Sequence, residues 1–397
     1  MANVQSDEPS TLQSYPIADL TTQSSSIFPL ARARTVQRFG KDSADVEARI
    51  IDAIQKVGPK NVSKLSRLIG VHPETVRYKL NRRFRKLGFH IHAEADYRKL
   101  GLVPHWAELR LSPKLAESPR SLLLAMNEHA YLVYYGKLLP QGNFACLFAI
   151  PEGRAEEQKS FLTYLQDNEM IQSYTLKEVT GSRRPTMNPR FFNFQSNRWD
   201  VDWNQVKLSQ GPEMKIEGKT QQADIDYQDL LLVKEFQMDA LQHIASIAKK
   251  VRVQQKALEY HYRVHLQKEK LVSGYLVRWQ RDIEGSVSHS ALLARLTFRY
   301  LGNSLASVQK AVGRIPFLWE EDLQVDGTYI ATVNIPVQEA TSTFDYLNSQ
   351  IPDLYGKVEL SFVKKSEASA FTIPYHMFEG GWRYDLQKLK QPFKPLK

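Results

Sequence analysis

Several features that would place this chain in a familiar class are missing from its sequence. Among 397 residues there is a single cysteine, Cys146, which excludes an intrachain disulfide and a cysteine-ligated zinc cluster. No apolar run approaches the roughly 18 residues that a helix needs to cross a bilayer. The N-terminus also lacks the basic and apolar segments of a secretory signal. These absences favour a cytoplasmic protein, and we expect no membrane partner.

The motifs of common enzyme chemistry are absent as well. There is no Gly-rich phosphate loop, no nucleophile elbow and no HExxH segment. His90 and His92 lie two apart on a predicted strand and could face a metal ion together, but no third ligand is apparent, so we favour a structural role for them. We therefore predict no catalytic residue, no cofactor and no metal ion, and a protein that is not an enzyme.

Positive charge is abundant. The formal net charge is +10, which favours an anionic partner such as nucleic acid, an anionic lipid or an acidic protein. Much of this charge lies between Asn61 and Gly88, where the chain reads NVSKLSRLIGVHPETVRYKLNRRFRKLG. Gly70 suits a tight turn and Pro73 suits the first turn of a helix, so the segment predicts two helices joined at a turn.

This segment is typical of a helix-turn-helix whose second helix, residues 73–87, we call the reading helix. Val76, Leu80 and Phe84 recur at helical spacing and predict a buried face. Arg77 and Asn81 have the chemistry to contact guanine and adenine edges, and the other arginines suit phosphates. The predicted DNA contacts are His72, Thr75, Arg77, Tyr78, Asn81, Arg82, Arg83, Arg85 and Lys86. The alternative is an ordinary helical hairpin with a solvated charged face.

The sequence contains an internal duplication. A shift of 182 positions, which places Tyr78 on Tyr260, superimposes apolar on apolar positions without a gap. The second copy supplies a weaker candidate DNA site with fewer cations; its residues are Lys256, Tyr260, His261 and Arg263. A packing or dimerisation role for this copy is about equally favoured.

After each helical segment the pattern predicts the order βαββαβ, which is that of a ferredoxin-like sandwich. Gly142 and Gly327 mark the turn between the two middle strands of each unit. The aromatic residues from Phe191 to Trp203 follow the first unit; we expect them to pack onto that preceding sandwich, although stacking on single-stranded bases is the alternative.

The domain organisation follows from these patterns. We predict a disordered N-terminal tail (1–42), a first winged helix-turn-helix (43–100), a first ferredoxin-like domain with an aromatic tail (101–203), a linker (204–223), a second helix-turn-helix (224–284), a second ferredoxin-like domain (285–385) and a basic tail (386–397).

The hinge after the reading helix carries a family resemblance. Residues 87–91 (LGFHI) and 95–101 (ADYRKLG), followed by this strand order, resemble leucine-responsive/asparagine-regulator (Lrp/AsnC) transcription factors. The resemblance implies a winged helix-turn-helix joined to a βαββαβ domain that mediates dimerisation and senses small effectors. The tandem copy points to an archaeal source.

We therefore expect an α+β protein of two tandem winged helix-turn-helix plus ferredoxin-like units that acts as a DNA-binding transcriptional regulator. Its expected partners are double-stranded DNA, a second copy or an internal pseudo-dimer, and a small-molecule effector, in a nucleoid-associated cytoplasmic setting. One alternative is a sequence-tolerant, chromatin-like protein that coats DNA. Another is a siroheme-decarboxylase-like enzyme, since that family resembles a fused double module; the scattered His105, His129, His289 and His376 give it no clear signature.

Overall fold

The computed structural model describes residues 44–209, 221–279 and 291–393. The predicted N-terminal tail, most of the predicted linker and the last four residues of the predicted basic tail lie outside the described residues. Helices and strands alternate along the described chain, so the α+β prediction is confirmed. None of the helices in these ranges is long and apolar enough to cross a membrane.

The first helical module is built from local signals that the sequence contains. The Asn61 side chain accepts a hydrogen bond from the Lys64 N–H (2.9 Å) and caps the second helix, which ends at Gly70 in the left-handed conformation (φ 71°). The reading helix begins at Pro73, as predicted. The elements are α1 (Ala44–Val57), α2 (Val62–Ile69), α3 (Pro73–Tyr78), a π-helical turn (Lys79–Arg83), α4 (Phe84–Lys86) and strand β1 (Phe89–Ala95).

The first half of the chain continues with the predicted strand–helix–strand–strand–helix–strand order. Gly142 adopts a positive φ of 78° in the turn between the two middle strands, as expected. The elements are β2 (Leu102–Leu111), α5 (Pro113–Ala116), α6 (Arg120–His129), β3 (Leu132–Leu139), β4 (Phe144–Pro151), α7 (Ala155–Asp167), β5 (Ile171–Arg183), β6 (Phe192–Asn193), β7 (Arg198–Trp199) and α8 (Trp203–Leu208).

The second half repeats the same order of elements. Gly327 has a φ of 81° in the corresponding turn. The elements are α9 (Tyr227–Met238), α10 (Ile244–Val251), α11 (Gln255–His261), a π-helix (Tyr262–Lys268), β8 (Val272–Trp279), β9 (Ala291–Phe298), α12 (Leu305–Gly313), β10 (Leu318–Gln324), β11 (Tyr329–Pro336), α13 (Ala340–Gln350), α14 (Leu354–Lys357), β12 (Val358–Ala370) and α15 (Leu386–Lys390).

The two halves join sheet to sheet and form one closed eight-stranded barrel. Its strand order is β10-β11-β9-β12-β3-β4-β2-β5, so each half contributes four strands. The seams are antiparallel: Asp322 lies opposite Ser182 at one, and Val363 lies opposite Leu138 at the other. Apolar side chains of both halves, including Trp106, Leu147 and Ile330, form a cluster that is separate from the clusters around the helices. Closure leaves no unpaired strand edge in this sheet.

A second pairing between the halves involves the strands that follow the helical modules. β1 pairs with β8 in antiparallel register, with Phe89 opposite Trp279. The His90 and His92 rings stack on this strand with centroids 6.0 Å apart. The His92 Nδ1 lies 2.9 Å from the Gln237 carbonyl oxygen, and burial lowers the pKa of His92 to about 4. These contacts are consistent with the structural role expected for the two histidines.

The segment that follows each barrel half packs against the other half. Phe191, Phe192 and Trp199 join a core made of the first helical module and the second half's helices, and Trp199 meets Phe317 edge to face (5.3 Å). The aromatic tail therefore does not pack onto the preceding sandwich as predicted. In return, the Tyr384 hydroxyl from the C-terminal segment donates to Gln158 of the first half (2.7 Å).

The predicted basic tail includes an ordered helix. Leu389 in α15 and Phe393 are buried in the core of the first half, where the Phe393 ring meets Phe161 at 5.0 Å. The Tyr164 hydroxyl donates to the Phe393 carbonyl (2.8 Å). The lysines of this segment led to the prediction of a flexible basic tail, although Leu389 and Phe393 anchor it.

We expect Leu389→Ala to lower the free energy of unfolding by roughly 2–5 kcal/mol, because it leaves a cavity in a filled core. Urea denaturation followed by circular dichroism measures the change. Lys388→Ala is the matched control, since the Lys388 side chain is 80% exposed and its loss should have little effect. Equal stability of the Leu389→Ala variant and the wild type would show that α15 is not held to the first half.

Candidate functional site

The outer face of the reading helix is open to solvent within this chain. Arg77 forms an ion pair with Glu74 one turn away, and Tyr78 is 57% exposed. Asn81, Arg82 and Lys86 are also exposed, and Thr75 is half-buried. His72 caps the helix, with its Nδ1 accepting from the Glu74 N–H (3.3 Å). The structure thus brings most of the predicted DNA contacts onto one surface.

Two of the predicted contacts are engaged within the protein. Arg83 is half-buried and donates to the Phe194 carbonyl (2.7 Å), and its Nε lies 3.7 Å from the buried Glu47 carboxylate. Arg85 remains exposed but pairs with Asp239 of the second half (3.0 Å). The helical pattern could not show this, because the partners come from distant parts of the chain.

The second candidate DNA site is less uniform than the first. Lys256, Tyr260 and Arg263 are exposed. His261 instead turns inward, and its Nδ1 lies 2.9 Å from an oxygen of the buried Asp229. The positions that match the exposed Arg77 and Arg82 of the first copy hold Glu259 and Val264, which are half-buried.

A cleft opens at the barrel, between the two halves. Each half contributes charged and polar side chains along with apolar ones. The lining residues are Trp106, Ala107, Glu108, Thr175 and Lys177 from the first half, and Arg295, Thr297, Arg299, Gln324, Thr328 and Ile330 from the second. The lining holds three cations and one anion, but Lys177 pairs with Asp326 and Arg299 with Glu359, both outside the lining. Arg295 is the lining cation without an ion pair among the described residues, so it suits a ligand that carries a carboxylate.

Arg295 is the central cation of this cleft. It is only 2% exposed, and its guanidinium lies 4.2 Å from the centre of the Trp106 ring. Its Nε has no hydrogen-bond partner among the described residues. A buried guanidinium with an unused donor beside an opening is the arrangement that an incoming anion would complete.

Behind Trp106 lies a buried carboxyl group. The Trp106 indole N–H donates to Asp322 Oδ2 (2.7 Å), and Asp322 is 1% exposed. Burial, reinforced by the neighbouring Glu320, raises the pKa of Asp322 to about 7 against an attraction from Arg184. A carboxyl group that exchanges its proton near neutral pH next to a cleft is typical of a functional site.

The sequence patterns did not single out these residues. Trp106 lies on β2, Arg295 on β9 and Asp322 on β10, and only barrel closure brings them together. One local signal was available, which is the alternation of Arg295, Thr297 and Arg299 along a strand. Such polar alternation on a strand between apolar neighbours indicates that one face lines a wet space.

The histidines do not line this cleft in the part of the chain that the structure describes. His105 Nδ1 lies 3.0 Å from the Val103 carbonyl, and His376 Nε2 lies 2.9 Å from the Glu128 carbonyl. His129 lies beside the Glu128 carboxylate. His289 lies outside the described residues.

The fold is similar over most of its length to that of a siroheme decarboxylase. The crystal structure of the siroheme decarboxylase NirDL matches with a TM-score of 0.54 and 11% identity, over 87% of this chain and 99% of that chain. The same enzyme in co-complex with an iron-uroporphyrin III analogue matches with a TM-score of 0.55 and 12% identity, over 88% and 100%. At this identity the likeness establishes the fold.

The likeness to Lrp/AsnC regulators covers a smaller part of the chain. Escherichia coli AsnC matches over 36% of this chain and 94% of its own, with 17% identity and a TM-score of 0.27. No protein-family model and no curated protein sequence matches this chain.

The prediction that this protein is not an enzyme is wrong. It rested on the double-module architecture and on the absence of familiar catalytic motifs. The same architecture, across 87% of the chain, is that of an enzyme. The residues of the cleft come from separate strands and have no fixed spacing, so no sequence motif describes them.

We expect Asp322→Asn to flatten the pH dependence of stability between pH 4 and 7. The folded protein keeps a proton on Asp322 up to its pKa of about 7, whereas the unfolded chain releases it near 3.8. This group therefore contributes stability at low pH that is lost as the pH rises through that window.

Melting temperatures of wild type and variant at a series of pH values give the difference, in which all other titrating groups cancel. A difference that does not change with pH would show that Asp322 is ionised throughout.

Proposed function

We propose that this protein binds a carboxylate-bearing tetrapyrrole in the cleft of the barrel and removes carboxylate groups as carbon dioxide. The observation that carries this proposal is the buried Arg295, which lines the cleft and whose Nε has no hydrogen-bond partner among the described residues. The fold that holds it is shared along nearly the whole chain with an enzyme of that activity. In this proposal the chain is a tandem pair of winged helix-turn-helix and ferredoxin-like units, fused as an internal pseudo-dimer.

The charges of the cleft support substrate binding. Uroporphyrin-type rings carry several carboxylates, and these need cationic partners once water is excluded. Arg295 would form the buried contact, while Lys177 and Arg299 lie at the more exposed rim, where they now pair with Asp326 and Glu359. A substrate carboxylate would compete with these two exposed acids for the same cations.

The chemistry requires a proton at the carbon that loses carbon dioxide. The carbon–carboxylate bond breaks, carbon dioxide leaves, and the electron pair that remains on the carbon takes up a proton. That proton would come from solvent in the cleft. Asp322 does not line the cleft and would act on the site through the hydrogen bond that it accepts from the Trp106 indole N–H. Trp106 lies between Asp322 and the cleft and would transmit any change in the position of the substrate ring to the carboxyl group.

We expect iron-uroporphyrin III and siroheme to bind to the purified full-length chain, with a shift of the Soret band. Mass spectrometry of the siroheme reaction should show products that have lost carbon dioxide. Arg295→Ala should weaken binding by at least tenfold, because a charge-assisted contact in a desolvated site is lost.

Arg110→Ala is the matched control, since Arg110 lies exposed on β2 and should bind like wild type. Lys177→Ala and Arg299→Ala test the rim without disturbing the buried core. Binding that is absent in wild type, or equal in wild type and all three cleft variants, would contradict the proposal.

A second candidate function is double-stranded DNA binding by the first helical module, as in a transcriptional regulator. The specific observation is the exposed row formed by Arg77, Tyr78, Asn81, Arg82 and Lys86. Such a row suits phosphates and base edges in a major groove. This function uses a surface distinct from the cleft, so the two proposals are compatible. The same cleft would then be the site of the small-molecule effector.

We expect Arg77→Ala to lower affinity for a selected DNA site more than for random DNA, by about 1–3 kcal/mol of discrimination. Arg82→Ala, as the phosphate-contact control, should weaken both complexes alike and reduce the salt dependence. Gel-shift titrations at two salt concentrations measure both effects. Equal losses for Arg77→Ala on both DNAs would assign Arg77 to the phosphate contacts, and no binding at all would exclude this function.

A further inference from the structure

The second helical module contains a cluster of metal-binding side chains that the functions above do not use. Asp229, in the first turn of α9, is fully buried. Its two carboxylate oxygens lie 2.9 Å from His261 Nδ1 and 2.8 Å from His265 Nδ1. One ligand atom from each of the three residues lies within 4.8 Å of the other two. The carboxylate of Asp226, which caps α9, lies 3.6 Å from His261 Nδ1 and is half exposed.

Two of the three matching positions in the first helical module hold residues of a different kind. The shift of 182 positions places Asp229 on Glu47, His261 on Lys79 and His265 on Arg83. Glu47 is buried as well, and its Oε1 lies 2.5 Å from Lys79 Nζ and 3.7 Å from Arg83 Nε. The first copy therefore neutralises its buried carboxylate with two permanent cations.

The second copy has the same buried carboxylate but no permanent cation at the two matching positions. Imidazoles are mostly neutral at neutral pH. A buried carboxylate is costly without a positive partner. Burial raises the pKa of Asp229 itself. The site can therefore be balanced by a proton on Asp229, by protons on the two histidines or by a bound cation.

We propose that this cluster binds a divalent transition-metal ion, with Zn²⁺ as the reference ion. His261, His265 and Asp229 are the ligands, and Asp226 is the fourth ligand on the solvent side. Two imidazoles and two carboxylates form a donor set that suits zinc and its first-row neighbours. The ion takes the place of the Nδ1 protons, and each imidazole stays neutral because its proton moves to Nε2. The two positive charges of the ion then match those of the lysine and arginine in the first copy.

The present spacing is close to that of a metal site. Ligands about 2.0–2.1 Å from a tetrahedral ion lie roughly 3.3 Å apart. The His261 and His265 Nδ1 atoms lie 2.9 and 2.8 Å from different oxygens of Asp229, and Asp226 lies 3.6 Å from His261 Nδ1. Entry of the ion therefore needs the imidazoles to move back by about half an ångström and the Asp229 carboxylate to turn toward the ion, which side-chain torsions can supply.

Binding would clamp the start of α9 to α11 and the π-helix that follows it. His261, which was predicted to contact DNA in the second site, would then bind the metal ion instead. The second module would then have a structural role, whereas the first module presents an exposed cationic surface.

The test uses the full-length chain, freed of any histidine tag and treated with a chelator. Titration with Co²⁺ should produce the intense visible absorption of a four-coordinate site and saturate at one ion per chain. Zn²⁺ should abolish that absorption and raise the melting temperature by several degrees. His265→Ala should lose both effects, while His243→Ala, an exposed histidine in the same module, should keep them.

A triple variant separates loss of the metal from loss of the fold. Asp229→Glu with His261→Lys and His265→Arg rebuilds the ion pairs of the first copy. It should remain folded, give no cobalt absorption and melt at a temperature that Zn²⁺ does not change. The proposal is overturned if wild type shows no cobalt absorption, if the absorption survives in the triple variant, or if acid but not metal stabilises the wild type.

Discussion

The structure depends on antiparallel pairing between the two halves of one chain at the seams of the barrel. β5 pairs with β10 and β12 pairs with β3, so neither four-stranded sheet is left with open edges. Closure places Arg295 over Trp106, and Trp106 against Asp322. The cleft, its cations and the buried carboxyl group behind Trp106 therefore exist only because the halves meet. Closure of the barrel also fixes the positions of both helical modules.

Much of the local structure could be predicted from the sequence, because its causes are local. Gly70, Pro73, Gly142 and Gly327 mark turns whose backbone geometry follows from the residue itself. The order of strands and helices follows from periodicity. The contacts between halves were not predictable in this way, because duplication gives two equivalent patterns. A tail such as that of Phe192 fits either sandwich by composition, and only the assembled protein shows which one it contacts.

The candidate sites differ in the same respect. The exposed row of the reading helix is contiguous in sequence, so its charge and helical spacing predicted most of it. Arg83 was predicted to contact DNA phosphates, and its contact with the Phe194 carbonyl could not be foreseen because that partner is far away in sequence. The barrel cleft draws on five strands, so no contiguous stretch of sequence contains it.

The crossed packing of the two tails has a consequence for the history of the chain. Each half completes its core with a segment that belongs, in covalent order, to the other half. Once fused and crossed in this way, neither unit can be released as an independent protein without exposing the aromatic face that its neighbour covers. Fusion also frees the copies from the symmetry of a homodimer, in which every substitution appears twice. In this chain one copy has Lys79 and Arg83 at the positions where the other has His261 and His265.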